Sequence, residues 1–118
     1  MAKRHVTYLR KIRDFIKRKD VQFLLCKVTD PDEHGFCLIG KDPRLGIIVV
    51  LDPNKEFLAT LIHECVHGIY PQYKEKKVLS IESYIMKNAS PIQFKNILFC
   101  FASHGKLLPK GTTIEDIA

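Results

Sequence analysis

No two of the four cysteines in this 118-residue chain form a C-x-x-C pair. Cys26, Cys37, Cys65 and Cys100 are scattered, each within an apolar segment, which argues against a paired-cysteine metal or redox site and for reduced thiols behaving as small hydrophobes. No apolar run approaches the length needed to span a bilayer, and the N-terminus lacks the apolar core of a secretory leader. The expectation is a cytoplasmic protein with no membrane partner. Internal repeats, linkers and low-complexity stretches are also missing, so residues 1–118 are expected to form a single domain around one core.

Positive charge is unevenly placed. The chain holds 19 Lys and Arg against 13 Asp and Glu, a net +6. Eight of the basic residues (Lys3, Arg4, Arg10, Lys11, Arg13, Lys17, Arg18 and Lys19) fall in residues 1–19, opposed there only by Asp14. In the same stretch Val6, Tyr8, Leu9, Ile12, Phe15 and Ile16 form an apolar stripe, so residues 1–19 read as a basic helix docked on a core with its charges in solvent. The aromatics of this stretch, Tyr8 and Phe15, belong to the apolar stripe and do not interleave the charged face, and no base-reading motif is present, which disfavours nucleic acid as a partner.

Against these absences stands one pentapeptide, His63-Glu64-Cys65-Val66-His67, with the pattern H-E-x-x-H. On a helix, histidines four apart stand one turn above each other, and their imidazoles can converge on one zinc ion. The adjacent Glu64 is then placed to act as base on water activated by the metal. Local signals support a helix here: Asp52-Pro53 reads as an N-cap followed by a first-turn proline, and Gly68 as a stop. At about 100° per residue, Phe57, Leu58, Leu61, Ile62, Cys65, Val66 and Ile69 share one half of the wheel. Thr60, His63, Glu64 and His67 share the other, and Cys65 turns toward the core, away from any metal.

Before this helix, residues 21–28, 36–40 and 46–51 have strand character, separated by turns at Asp30-Pro31-Asp32-Glu33-His34-Gly35 and Lys41-Asp42-Pro43-Arg44-Leu45. Short connections predict a small, mainly antiparallel three-stranded sheet of hairpins, with the very apolar 46–51 at its centre. After Gly68 the chain turns through Tyr70, Pro71 and Tyr73 into a helix with Glu75, Val78, Ile81, Glu82 and Ile85 on one face. A further helix starts at Ser90-Pro91 and ends before Gly105, followed by an irregular tail, 106–118. The class is α+β: an N-terminal helix, a three-stranded sheet, the H-E-x-x-H helix and two C-terminal helices.

A catalytic zinc commonly takes three protein ligands and keeps one open position. A third histidine six residues after His67 is absent, because Tyr73 stands there. A carboxylate on the next helix remains: Glu75, favoured by its proximity to the turn, or Glu82, two turns further on the same face. Tyr70, Tyr73, Tyr84 and His104 are candidates to stabilise an oxyanion, and no spacing selects among them.

The run L-I-H-E-C-V-H-G-I-Y-P, followed by a helix that opens with Glu75, resembles the gluzincin metallopeptidases, in particular the minimal single-domain gluzincins. The resemblance covers residues 46–88 best. It implies Zn2+ held by His63, His67 and Glu75, with Glu64 as general base in hydrolysis of peptide or protein substrates bound along an exposed sheet edge. It also implies a tail able to lie in the cleft and keep the enzyme latent, with Glu115, Asp116 and the terminal carboxylate as metal blockers. Two other functions fit the composition. One is a non-catalytic zinc-stabilised module whose basic helix contacts nucleic acid or an acidic partner, and the other is a regulatory protease with a single partner as substrate.

Overall fold

The most apolar strand organises the fold. In the computed structural model, which describes residues 4–39 and 46–117, Ile48, Val49, Val50 and Leu51 are all fully buried. They belong to β3 (Ile47–Leu51), the centre of a sheet with β1 (Val21–Leu25) and β2 (Gly35–Ile39) at its two edges. Lys3, Gly40, the turn residues Lys41, Asp42, Pro43, Arg44 and Leu45, and the carboxylate of Ala118 lie outside the described residues.

The α+β class and the central position of β3 follow the sequence reading, but of the two expected hairpins only that of β2 with β3 forms. β2 pairs antiparallel with β3, whereas β1 pairs with β3 in parallel, Val21 opposite Ile47 and Leu25 opposite Leu51. The central position pairs both edges of β3, while the helices on one side and the tail on the other cover its two apolar faces. The 26–34 connection is then held to the end of β3. Asp52 accepts from the amides of Val28 and Asn54, each at 3.0 Å, and these amides keep its carboxyl below the ordinary carboxylate range. Lys55 Nζ donates to the carbonyls of Val28 at 2.7 Å and of Asp30 and Glu33 at 2.9 Å.

With its carboxylate committed to this loop, Asp52 does not cap the motif helix. That helix, α2 (Phe57–Ile69), starts later, with Glu56 at its N-cap in the left-handed region at φ 40°. At the other end Gly68 is not a stop but part of the last turn. A Cβ there would collide with the Phe15 ring of α1 (Arg4–Ile16), which is 2% exposed and has no room to swing. The absence of a side chain lets the two helices close.

On α1 the buried stripe is His5, Leu9, Ile12, Phe15 and Ile16. Val6, expected on the stripe, is 43% exposed, because His5 and not Val6 stands one turn before Leu9 and two before Ile12. α3 (Glu75–Asn88) buries Val78, Ile81 and Ile85. α4 (Pro91–His104) begins with a reciprocal cap, Ser90 Oγ accepting from the Gln93 amide and Gln93 Oε1 from the Ser90 amide. These helices cover one face of the sheet.

The opposite face is covered by the chain's own tail. The Phe23 amide donates to Lys106 O and the Leu108 amide to Phe23 O, both at 2.8 Å, so the chain beyond α4 runs along the outer edge of β1. A short helix, α5 (Ile114–Ile117), then packs Ile117 with Leu24, Val28, Ile48 and Val50. Among the described residues no helix is long and apolar enough to cross a membrane.

Two stability effects follow. Gly68→Ala gains about 1 kcal/mol of helix propensity but drives a methyl into Phe15, at about 1–3 kcal/mol; urea unfolding should show net destabilisation. Truncation after Lys110 removes Ile114 and Ile117 from the sheet and should lower stability by about 2 kcal/mol or more, read by the same method.

Candidate metal centre

Helix α2 lies under the start of β2, and a glycine permits it. A Cβ at Gly35 would strike Val50 O and come within 3.0 Å of Thr60 Cγ2 and 3.5 Å of Glu64 Cγ. Thr60 and Glu64 are consequently buried, although both fall on the half of the wheel expected to stay clear of the core. His63 and His67, rotated away from the sheet, remain partly exposed with ring centroids 4.9 Å apart. Cys65 is fully buried on the core side as expected, and burial pushes its thiol well above its ordinary range.

The chain then reverses. The Tyr70 amide donates to Val66 O and the Tyr73 amide to Tyr70 O, both at 2.9 Å, and the two tyrosine rings stack at 4.6 Å. This turn delivers Glu75, in the first turn of α3, to both histidines. Its carboxylate bridges them, Oε1 at 2.6 Å from His63 Nε2 and Oε2 at 2.8 Å from His67 Nε2. Ligand atoms of His63, His67 and Glu75 all lie within 4.8 Å of one another.

Glu82, the other sequence candidate, meets a different atom: Oε1 lies 2.8 Å from His63 Nδ1. The side chain of Glu82 is 22% exposed and that of Glu75 59%: the inner carboxylate meets Nδ1 of His63, and the outer one bridges Nε2 of the same ring to Nε2 of His67. His63 therefore has a carboxylate oxygen at each ring nitrogen. A neutral imidazole carries one N–H and satisfies one of these contacts. An imidazolium donating from each nitrogen satisfies both, and so does a cation at Nε2 with Nδ1–H donating to Glu82, which is the arrangement that orients metal-binding histidines.

Beside these groups opens a cleft of about 830 Å³ between α2, the first turns of α3, the outer edge of β2 and the loop that precedes it. Glu64 faces it at 6% exposure, with no hydrogen bond or ion pair from another described residue. Desolvation by burial raises its carboxyl to about 7, with Glu75, Glu33 and Glu82 adding to the rise and His63 opposing it. Cys37 also lines the cleft, but burial and the charge of Glu64 push its thiol up to about 11, too high for a thiolate near neutrality.

Of the four oxyanion candidates from the sequence, none lines the cleft. Tyr70 accepts from Lys11 Nζ at 3.1 Å, and Tyr84 lies beside His5. His34, which no spacing singled out, does line it, as do Glu33 and Asp32. Glu115 and Asp116, expected as metal blockers, sit on α5 on the far face of the sheet, where Asp116 accepts from the Thr113 amide at 2.8 Å. Packing of Ile117 against the sheet holds them away from the cleft. None of the basic residues of α1 lines the cleft either.

The raised Glu64 carboxyl has a stability consequence in metal-free protein. Its protonated form is favoured on folding, so its contribution is fully present below the unfolded value of 4.5 and is lost as pH rises through about 7. In the presence of chelator, Glu64→Gln should match the wild type in stability near pH 4 and exceed it by on the order of 3 kcal/mol above neutrality, measured by denaturant titration across pH. Compared with protein-family models, curated proteins and solved structures, the chain matches none, so the reading of this site rests on its own geometry.

Proposed function

We propose that this chain is a zinc-dependent metallopeptidase that hydrolyses peptide bonds, with His63, His67 and Glu75 holding the ion and Glu64 as general base. The observation that carries the reading is the Glu75 carboxylate shared between the Nε2 atoms of two histidines one helical turn apart. Two imidazoles and one carboxylate are the donor set of a three-ligand zinc site with an open position. When bound in such a site, zinc supplies Lewis acidity to a carbonyl and acidifies water at its open position.

The remaining roles belong to the chain. Glu82 accepts from His63 Nδ1–H and so presents Nε2 as the ligand atom. The Glu64 carboxylate takes a proton from the attacking water and delivers it to the departing amine nitrogen. Its burial keeps bulk water from competing and strengthens its response to the developing charge. β2, an edge strand lining the cleft through Gly35, Phe36 and Cys37, offers its outer edge to an extended peptide by strand addition. His34 is the side chain in the cleft wall best suited to donate to an oxyanion. A zinc module without catalysis needs neither the cleft nor a buried, unpaired carboxylate facing it.

Metal analysis with a quenched-peptide assay tests this reading. Glu64→Gln should retain one equivalent of zinc and lose activity by about 10²-fold or more. Glu75→Ala should lose the metal, and Glu82→Gln should weaken zinc affinity by about 10–100-fold. Stoichiometric zinc in Glu75→Ala, or full activity in Glu64→Gln, would exclude the assignment.

A further inference from the structure

The chain carries a net charge of +6, yet the cleft is acidic. Asp32, Glu33, Glu56, Glu64, Glu75 and Glu82 line it, and no lysine or arginine does among the described residues. Three of these carboxylates have roles in the chemistry proposed above. Asp32, Glu33 and Glu56 have none, and all three are exposed. Glu33 is near enough for its charge to be felt at Glu64. Lys55 directs its ammonium to three main-chain carbonyls of this loop, so it holds the loop in position, and among the described residues no cation pairs with the Glu33 carboxylate. Glu56, on the other rim, is fixed by the left-handed turn that starts α2. Glu64, more than nine-tenths buried and unpaired among the described residues, faces the same space, which marks the cleft as a ligand-binding surface.

We propose that Glu33, supported by Asp32 and Glu56, is a cation-accepting subsite, and that the cleft takes extended peptides with Lys or Arg within a few residues of the bond beside Glu64. This rests on the peptidase reading above. A strand advances about 3.3 Å per residue, and Glu33 precedes by two residues Gly35, the point where β2 meets Glu64. A peptide along the edge of β2 therefore brings a long basic side chain to Glu33 when that side chain lies one to three residues from the bond. A wall of one sign in a concave site concentrates substrates of the opposite sign and speeds their arrival, most strongly at low salt. Basic groups on α1 and acidic groups in the cleft thus separate two surfaces that the net charge merges.

The test uses full-length Glu64→Gln protein loaded with zinc and two fluorescent decapeptides of identical apolar centre, one flanked by lysines and the other by glutamates. By anisotropy at low salt the lysine peptide should bind at least tenfold more tightly. Adding Glu33→Gln should reduce the preference to about threefold or less, and Glu33→Lys should reverse it; the exposure of Glu33 makes both folded variants, checked by circular dichroism. Equal binding of the two peptides, or a preference that survives Glu33→Lys, would overturn the subsite. Wild-type enzyme is then given the same pair. Faster cleavage of the lysine peptide supports the subsite, and cleavage without preference counts against it alone. Selective binding with no cleavage of either peptide removes the peptidase reading and leaves the cation subsite standing.

Discussion

One carboxylate between two imidazoles ties this molecule together at its chemical end. The bridge from Glu75 to His63 and His67 exists only if α3 returns beside α2, and that return depends on the stacked tyrosines of the intervening turn and on Val78, Ile81 and Ile85 reaching the core. It equally requires α2 to be held at a fixed rotation about its axis. Glu64 and Thr60 under β2 on one side, and Gly68 against Phe15 on another, set that rotation. The histidines point where they do because the neighbouring positions have no alternative.

Much of this was legible in the residues. The helical wheel separated Leu61, Ile62, Cys65 and Val66 from His63 and His67, and the turn length put Glu75 ahead of Glu82 as the partner nearest the motif. What stayed hidden depended on contacts distant in sequence. Asp52 reads as a helix cap because Pro53 follows it, yet its carboxylate is claimed by an amide 24 residues earlier. The order of the strands was obscured because loop length favours hairpins, whereas burial of β3 on both faces favours the observed sheet. Glu33 looked like one more polar turn residue, since nothing local reveals that Lys55 will draw its loop to the rim of a cleft. Glu82 illustrates an intermediate case: its face was evident, but the ring nitrogen it would meet was not.

The two faces of the sheet have different duties. The helices pack on one and build the site at its margin, while the segment after α4 closes the other with a few apolar side chains. This division explains why the acidic residues of α5 lie apart from the His63, His67 and Glu75 cluster. It also keeps the helical layer free of the tail, so the geometry around His63 is set by α1, α2 and α3 together with the strand β2 against which α2 packs.

With the outer margin of β1 sealed by residues 106–108, the row of amides and carbonyls left bare in the sheet among the described residues is that of β2. Bare strand margins are ordinarily a hazard, because they recruit any unfolded polypeptide, including copies of the same chain. On the function proposed above, the hazard and the working surface coincide. The exposed carboxylates of Asp32 and Glu33 stand beside that margin, where their charge repels acidic chains.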